Sequence, residues 1–246
     1  MKTHIYLQAR IGSTRLPGKV LKKICNKSVL QLIIERLKLV KNIEKIVIVT
    51  GPEDVNSSII NDAKRLKVDY FCGNEQNILD RFYQAHLFLD SDVIIRVTGD
   101  CPLIDPDLIN KGLEIFSRVH CDILSVNRVR TFPHGFDFEI FTGDALKRSW
   151  MEIHNTYTSN NDFYKSVIPP TTHMLNSQNF TNFDLVNDDN LSNIRLTLDY
   201  QEDFELIAKV YEILYKDGKY FGLTEIVSLL KERPELLKIN EKYIIY

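Results

Sequence analysis

The chain has 246 residues, of which 44% are hydrophobic, so it can build a sizeable buried core and is not a disordered polypeptide. Its 31 basic and 33 acidic residues give a formal net charge of −2, which excludes a global basic field of the kind that holds nucleic acid or an anionic membrane. The four cysteines form no C-x-x-C pair, which argues against a zinc or redox motif and favours a reducing compartment.

Short apolar runs alternate with helical patterns through the first half of the chain. Four runs rich in β-branched and aromatic residues predict strands at 5–9, 45–50, 69–73 and 92–99. Three amphipathic patterns between them predict helices at 28–40, 57–68 and 77–89. This alternation is typical of βαβ units, so we expect an α/β protein with a mostly parallel sheet covered by helices on both faces.

The second half is less regular. A helix is predicted from Asp105 and Pro106, which suit cap and first-turn positions, followed by a strand at 121–127. Further strands are predicted at 132–142 and at 193–199, and helices at 201–216 and from 223 to Pro234. We therefore expect one domain over residues 1–246, with an excursion around 130–193 that covers the site or meets a partner chain.

The loop after the first strand, QARIGSTRLPGKVL (8–21), superficially resembles a phosphate-binding loop. A Walker A loop has four residues between its glycines and a Ser or Thr after its Lys. Here five residues separate Gly12 from Gly18, and Lys19 is followed by Val20, so the loop is not of that type.

Three cations in this loop, Arg10, Arg15 and Lys19, can nevertheless surround a polyanion. Arginines fork onto phosphate oxygens, lysine acts as a point charge, and glycine permits close backbone approach. A triphosphate suits three cations better than a monoanion does. The alternative is a solvated turn whose charges have no ligand, but ligands of open parallel sheets bind at this edge of the sheet.

Two aspartates end predicted strands at the same edge. Asp100 follows VIIRVTG and Asp199 follows NIRLTL, and two carboxylates suit Mg²⁺ when water and phosphate oxygens supply the other ligands. Either residue could instead cap the helix that follows it.

A third polar group lies in HGFDFEIF, which carries His134, Asp137 and Glu139. In a strand Asp137 and Glu139 share one face, where two acids could bind the hydroxyls of an acceptor sugar. A solvated strand face is the competing interpretation.

At these residues the chain resembles a known family. LQARIGSTRLPGKVL resembles the opening signature of the cytidylyltransferases that activate 3-deoxy-manno-octulosonic acid (CMP-Kdo synthetases) and acylneuraminic acids. The SpsF branch of this family, named for spore coat polysaccharide biosynthesis, is similar in NILDRFYQA, RVTGDCPLIDP, HGFDFEIF, RLTLDYQEDFELI and RPELLKIN. The resemblance implies a nucleotide-diphospho-sugar transferase fold (GT-A-like, Rossmann-like), which is an α/β sandwich with a mixed, mainly parallel sheet, and a homodimer.

The resemblance also implies residue roles. Catalysis would fall to Arg15, Lys19, Asp100 and Asp199, with Mg²⁺ held by the two aspartates. Nucleotide binding would fall to Ala9, Arg10, Gly12, Ser13, Arg15, Lys19, Arg81, Thr98 and Asp100, and acceptor binding to His134, Asp137 and Glu139. This chain departs from the relatives that activate Kdo, which carry Gln at the position of Thr98, and from the SpsF branch, whose EHVTPYI-like segment is replaced by NDFYKSVIPPTTHM.

The function that follows is Mg²⁺-dependent nucleotidyl transfer from CTP, or another nucleoside triphosphate, to a sugar or sugar acid. With no run of 18 apolar residues and no signal-peptide pattern, we expect a cytoplasmic protein. Two alternatives remain open at this point: a GT-A glycosyltransferase that uses a nucleotide sugar, and a non-catalytic nucleotide-binding protein.

Overall fold

The computed structural model describes residues 1–216 and 219–244. The strands of its main sheet are β1 (Thr3–Gln8), β4 (Lys45–Thr50), β5 (Asp69–Cys72), β6 (Val93–Thr98), β7 (Ile123–Ser125), β8 (Phe138–Thr142) and β9 (Asn182–Asp184). A separate short hairpin is formed by β2 (Lys23–Ile24) and β3 (Lys27–Ser28). The helices are α1 (Val29–Leu37), α2 (Glu53–Leu66), α3 (Ile78–Leu89), α4 (Pro106–Val119), α5 (Gly143–His154), α6 (Asn160–Lys165), α7 (Thr172–Asn176), α8 (Gln201–Leu214) and α9 (Leu223–Glu232).

The main sheet is mixed and mainly parallel, as the alternating pattern predicts. Its strand order is β5-β4-β1-β6-β8-β7-β9. The pairs β5–β4, β4–β1, β1–β6 and β7–β9 are parallel, whereas β8 runs antiparallel to both β6 and β7. The carboxyl ends of β1 and β6 therefore meet at one edge of the sheet, where the loop from residue 9 and Asp100 emerge.

Helices cover both faces of the sheet and enclose two apolar clusters. The larger cluster includes buried side chains of α1, α2, α4, α8 and α9. The smaller one includes buried side chains of α3, α5 and α7. In β1, Ile5 and Leu7 contribute to the larger cluster and Tyr6 to the smaller, and all three are fully buried. A strand that is apolar on both faces is typical of the centre of a parallel sheet.

Two predicted strands were wrong in extent. Residues 132–137 do not join β8, because Gly135 has a φ of +101° that turns the chain before the strand begins. The 193–199 segment forms no strand in the described structure and pairs only through one isolated bridge, between Arg195 and His134. It is nevertheless held on both sides, since Leu196 donates to the His134 carbonyl and Leu198 donates to the Asp100 carbonyl.

The polar stretch 151–193 is more ordered than predicted. It contains α6, α7 and β9, and β9 pairs with β7 at the edge of the main sheet. The helix α5, whose last residues enter this stretch, was not among the predicted elements. No helix in the described parts of the chain is both long and apolar enough to cross a membrane.

The close approach at Gly135 generates a stability prediction. A Cβ at this position would lie within 2.6 Å of the Thr197 nitrogen, and it would meet the Leu196 carbonyl as well. At Gly18, where φ is +62°, a Cβ would meet nothing within 4 Å. Gly135→Ala therefore combines backbone strain with a backbone clash, whereas Gly18→Ala carries the strain alone, about 1 kcal/mol.

Thermal unfolding of the two variants checks this. We expect Gly135→Ala to lose at least about 2 kcal/mol more than Gly18→Ala, which corresponds to a further fall in Tm of about 5 °C. Equal Tm values for the two variants would contradict the close contact between Gly135 and the 196–197 backbone.

Candidate active site

One cavity of about 270 Å³ lies at the carboxyl ends of β1 and β6. Every residue that the sequence predicts to bind nucleotide or metal lines it. The lining consists of Gln8, Ala9, Arg10, Gly12, Ser13, Thr14, Arg15, Lys19, Val20, Arg81, Arg96, Thr98, Gly99, Asp100 and Asp199. Residues separated by up to 191 positions in the chain thus face one space.

The loop after β1 is fixed to the core at two points. Leu16 and Val20 are buried in the larger apolar cluster, so the intervening polar residues turn outward. The Ile11 amide donates to the side-chain oxygen of Asn56 at 3.0 Å, and Asn56 is itself fully buried on α2. The loop therefore presents its cations from a backbone that is held by packing and a buried hydrogen bond.

Lys19 joins the two aspartates. Its Nζ lies 3.0 Å from Asp199 Oδ1 and 3.4 Å from Asp100 Oδ2, and it also donates to the Leu198 carbonyl at 2.7 Å. Thr98 donates to the other oxygen of Asp100. The ammonium group thus occupies the space between two carboxylates, which is a position that favours positive charge.

The charge state of this group is set by competition between burial and neighbouring cations. Burial by itself would raise the pKa of Asp199, but Lys19 and Arg15 outweigh it and hold that pKa below its ordinary value. Tyr200 and then Asp199, whose carboxylate lies 3.1 Å from Arg15, raise the pKa of the Arg15 guanidinium. Asp199 is therefore an anion and Arg15 a cation at neutral pH.

Arg81 differs from the other cations of the cavity. It is only 1% exposed, and none of its three side-chain nitrogens has a hydrogen-bond partner within the described protein. Burial lowers its pKa from 12.5 to about 10, although Glu75 opposes that shift. A buried cation without a hydrogen-bond acceptor is costly, and the cavity that it lines is where an anionic or carbonyl acceptor could reach it.

Arg96 and Gln8 line the cavity but were not among the predicted site residues. Arg96 lies in the central strand β6, where it donates to Gln8 at 3.0 Å and to Glu139 at 2.8 Å. A charged residue within the apolar run VIIRVT was the available signal, because central strands of parallel sheets are otherwise hydrophobic.

The three predicted acceptor residues do not line this cavity. Glu139 is 3% exposed, and its carboxylate accepts from Arg96 and from Asn127, so the structure places it in a buried ion pair, and its contact with an acceptor stays a prediction. Asp137 lies before β8 and pairs with Arg130 at 2.6 Å, so it does not share a strand face with Glu139. His134 is half-buried, and burial followed by the charge of Arg130 lowers its pKa.

Comparison with known proteins shows the family to which the chain is similar. A family model described as cytidylyltransferase matches residues 5–220. The spore coat polysaccharide biosynthesis protein SpsF of Bacillus subtilis is 27% identical over 93% of this chain and 94% of its own length.

Two solved structures are similar to this chain in their fold. A cytidylyltransferase from Leptospira borgpetersenii superposes with a TM-score of 0.84 at 29% identity, covering 100% of this chain and 99% of its own. A CMP-Kdo synthetase complexed with CTP gives a TM-score of 0.61 at 16% identity over 86% of this chain and 99% of its own. The fold is that of the nucleotide-diphospho-sugar transferases.

Replacing Arg81 by methionine tests whether its guanidinium is uncompensated. The lowered pKa means that the folded state disfavours the charged form, and this cost is present at every pH below about 10. We expect Arg81→Met to raise the stability of the nucleotide-free protein by about 1 kcal/mol or more, which is a rise in Tm of at least about 2 °C at pH 7.

Arg36 is the matched control. It is equally buried, but it donates to the carbonyls of Ile104 and Phe221 at 2.6 and 2.8 Å. Arg36→Met leaves these carbonyls unpaired and should lower the Tm, corresponding to about 2 kcal/mol. A fall in Tm for both variants would show that Arg81 is already satisfied within the folded chain.

Proposed function

We propose that this chain, which belongs to the cytidylyltransferase family, transfers a nucleotidyl group from CTP to a sugar or sugar acid with release of pyrophosphate. The observation that carries the proposal is Arg81, a buried cation whose three nitrogens have no partner among the described residues and which lines the same cavity as Arg10, Arg15 and Lys19. A ligand rich in acceptor oxygens would supply the missing partners of Arg81 and contact the cations of the loop as well.

The cavity has distinct ends for the two parts of a nucleotide. Arg15 and Lys19 lie at the end that holds both aspartates, which suits the β- and γ-phosphates. Arg81 lies near Arg10 and Glu75, away from that pair, and we place the nucleoside there beside the backbone of Ala9. Thr98 donates to Asp100 at the aspartate end, and we place the α-phosphate between this end and Arg81.

Mg²⁺ fits the aspartate pair. The Lys19 ammonium lies within 3.4 Å of both carboxylates, so two acidic oxygens already converge on one positive charge. No group of three or more His, Cys, Asp or Glu side chains with metal-binding geometry exists in the part of the chain that the structure describes, so water and phosphate oxygens would complete the shell. When bound by Asp100 and Asp199, Mg²⁺ would supply positive charge to the α-phosphate.

The reaction is an in-line substitution at phosphorus. The acceptor oxygen forms a bond to the α-phosphorus, the bond to the bridging oxygen of the β-phosphate breaks, and the proton of the acceptor hydroxyl passes to solvent or to a carboxylate of the site. Negative charge grows on the leaving pyrophosphate, and Arg15 and Lys19 are placed to stabilise it. Catalysis thus rests on positioning and electrostatic stabilisation by groups that are already oriented.

Two findings support the choice of substrates. The family is described by cytidylyl transfer, and the structurally similar CMP-Kdo synthetase was solved with CTP. The similar SpsF protein of Bacillus subtilis is named for polysaccharide biosynthesis. We place the acceptor beside Asp100 on the β8 side, where Arg96 lines the cavity and where His134 and Asp137 lie beyond it.

A glycosyltransferase is a weaker alternative, because such enzymes of this fold class bind metal through a D-x-D motif. The D-x-D segment in the candidate site region, Asp105-Pro106-Asp107, begins α4. Asp105 is 5% exposed, and its carboxylate accepts from the amides of Asp107, Leu108 and Leu223. The oxygens of Asp105 are engaged by these amides, so they do not face the cavity.

A non-catalytic nucleotide-binding role is the other alternative. Any measurable release of pyrophosphate by the protein would exclude it.

Thermal stabilisation by nucleotides tests the donor. CTP, GTP, UTP and ATP are compared with and without Mg²⁺, because a ligand that binds only the folded state must raise the Tm. At a concentration about 100 times Kd, CTP with Mg²⁺ should stabilise the protein by about 2.7 kcal/mol, or roughly 5–10 °C. Arg15→Ala should shrink this shift. Failure of every triphosphate to raise the Tm would remove the basis of the proposal.

The aspartate pair is tested by Asp100→Asn, with Asp107→Asn as the matched control. Asp100→Asn should keep some stabilisation by CTP but lose the additional effect of Mg²⁺, and once an acceptor is found, pyrophosphate release should fall by about 10³-fold. Asp107→Asn changes an exposed side chain on α4, so this variant should keep both the stabilisation by CTP and the additional effect of Mg²⁺. An unaltered Mg²⁺ effect in Asp100→Asn would exclude Asp100 as a metal ligand.

A further inference from the structure

The last described residues of the chain fold back onto the segment that carries Asp199. Asn240, which is buried, donates to the Asp203 carboxylate at 2.7 Å and to the Arg195 carbonyl at 3.0 Å. Lys242 pairs with Glu202 at 2.6 Å, and the Tyr243 hydroxyl donates to the same carboxylate. Residues 240–243, called the C-terminal segment below, are therefore attached by four polar contacts to the turn formed by residues 195–203, which leads into α8 and includes its first residues.

Asp203 fixes the position of Asp199 within this turn. It is fully buried, and its carboxylate accepts from the amides of Asp199 and Tyr200, both at 2.9 Å. Arg195 donates to it through two nitrogens at 3.0 and 2.9 Å. Because each of these donors is short and the carboxylate is excluded from water, the backbone at 199–200 is held in one arrangement.

The C-terminal segment also reaches Arg15, through two aromatic rings. Tyr243 stacks on Tyr200 with ring centroids 3.7 Å apart and planes within 1° of parallel. The Arg15 guanidinium lies 5.2 Å from the centroid of the Tyr200 ring. Tyr200 thus contacts both Arg15 and Tyr243.

The stack of Tyr243 on Tyr200 bears on the conformation of the exposed Arg15 side chain. The Arg15 side chain is 53% exposed, and its loop is anchored through Leu16 and Val20 without fixing the guanidinium itself. The Asp199 carboxylate and the Tyr200 ring both contact the guanidinium. A long side chain that is already held in its binding conformation loses less entropy when the ligand binds. A Tyr200 ring that restricts Arg15 therefore increases the affinity of the site for the ligand.

We propose that Tyr243, at the far end of the chain, is a positioning residue for triphosphate binding, which it supports by holding the Tyr200 ring against Arg15. This inference rests on the proposed function, since it takes Arg15 as a ligand of the β- and γ-phosphates. The C-terminal segment then forms part of the nucleotide site without touching the nucleotide.

A purely structural role predicts a different outcome. If Tyr243 only stabilises the packing of the C-terminal segment, its removal lowers the Tm and leaves the affinity of the remaining folded protein unchanged for every nucleotide. A positioning role instead lowers affinity only for ligands that Arg15 contacts. CMP, which lacks the β- and γ-phosphates, separates these possibilities.

The experiment measures the Kd of CTP and of CMP by calorimetry, with Mg²⁺, at a temperature where circular dichroism shows each variant folded. Tyr243→Ala removes the ring, and Tyr243→Phe keeps it while removing the hydroxyl. Tyr157→Ala is the matched control, because Tyr157 is also partly exposed and packs on one aromatic ring, that of Phe163 at 5.5 Å. Each of these changes is also made in the Arg15→Ala background.

We expect Tyr243→Ala to weaken CTP binding roughly 3- to 10-fold, the range set by an aromatic pair, and to leave CMP binding unchanged. Tyr243→Phe and Tyr157→Ala should bind CTP like the unaltered protein. In the Arg15→Ala background Tyr243→Ala should cause no further loss, because the two changes remove one coupled interaction.

Three results would overturn the inference. The first is an unchanged affinity for CTP in Tyr243→Ala. The second is a loss of affinity for CMP equal to the loss for CTP. The third is that Tyr243→Ala weakens CTP binding in the Arg15→Ala background as much as it does alone. A failure of the unaltered protein to bind CTP at all would instead overturn the proposed function, and this inference with it. The two failures are therefore distinguishable in the same data set.

Discussion

The Lys19 ammonium between Asp100 and Asp199 is the interaction around which the site is built. It links the loop after β1 to the end of β6 and to the segment before α8, which are separated by 81 and 180 positions in sequence. Like charges repel strongly in a cavity of low dielectric constant, so the cations of the loop need a nearby negative group to be held together. The two aspartates fulfil that need in the absence of nucleotide.

The charge balance at the two ends of the cavity is unequal. At the aspartate end, Lys19 and Arg15 have carboxylate partners and the pKa of Asp199 is held low. At the other end, Arg81 has no hydrogen-bond partner among the described residues, and its pKa is lowered by burial. Under the proposed function, a triphosphate would compete with the aspartates for the first group of cations and would bring new acceptors to Arg81. Without such acceptors the Arg81 guanidinium is unfavourable to the stability of the folded chain, because it is a buried charge.

The antiparallel strand β8 pairs with β6 and positions the residues on that side of the cavity. It places Glu139 against Arg96 in the sheet, so that Arg96 is held by a buried carboxylate on one side and by Gln8 on the other. Glu139 therefore orients Arg96, which lines the cavity. Gly135 and the extended 194–198 segment complete that side, since their close backbone approach carries Asp199 to the cavity without a continuous strand.

Local periodicity and residue chemistry determined much of this protein. The alternation of apolar runs with amphipathic patterns predicted β1, β4, β5, β6 and the helices between them, because burial on both faces and helical spacing are properties of short stretches. The positions of Arg10, Lys19 and Asp100 after strands predicted the cavity. Tertiary structure alone decided that Glu139 is buried, that Arg81 lacks a hydrogen-bond partner among the described residues and that Tyr243 stacks on Tyr200 beside Arg15. Each of these depends on contacts between residues far apart in sequence.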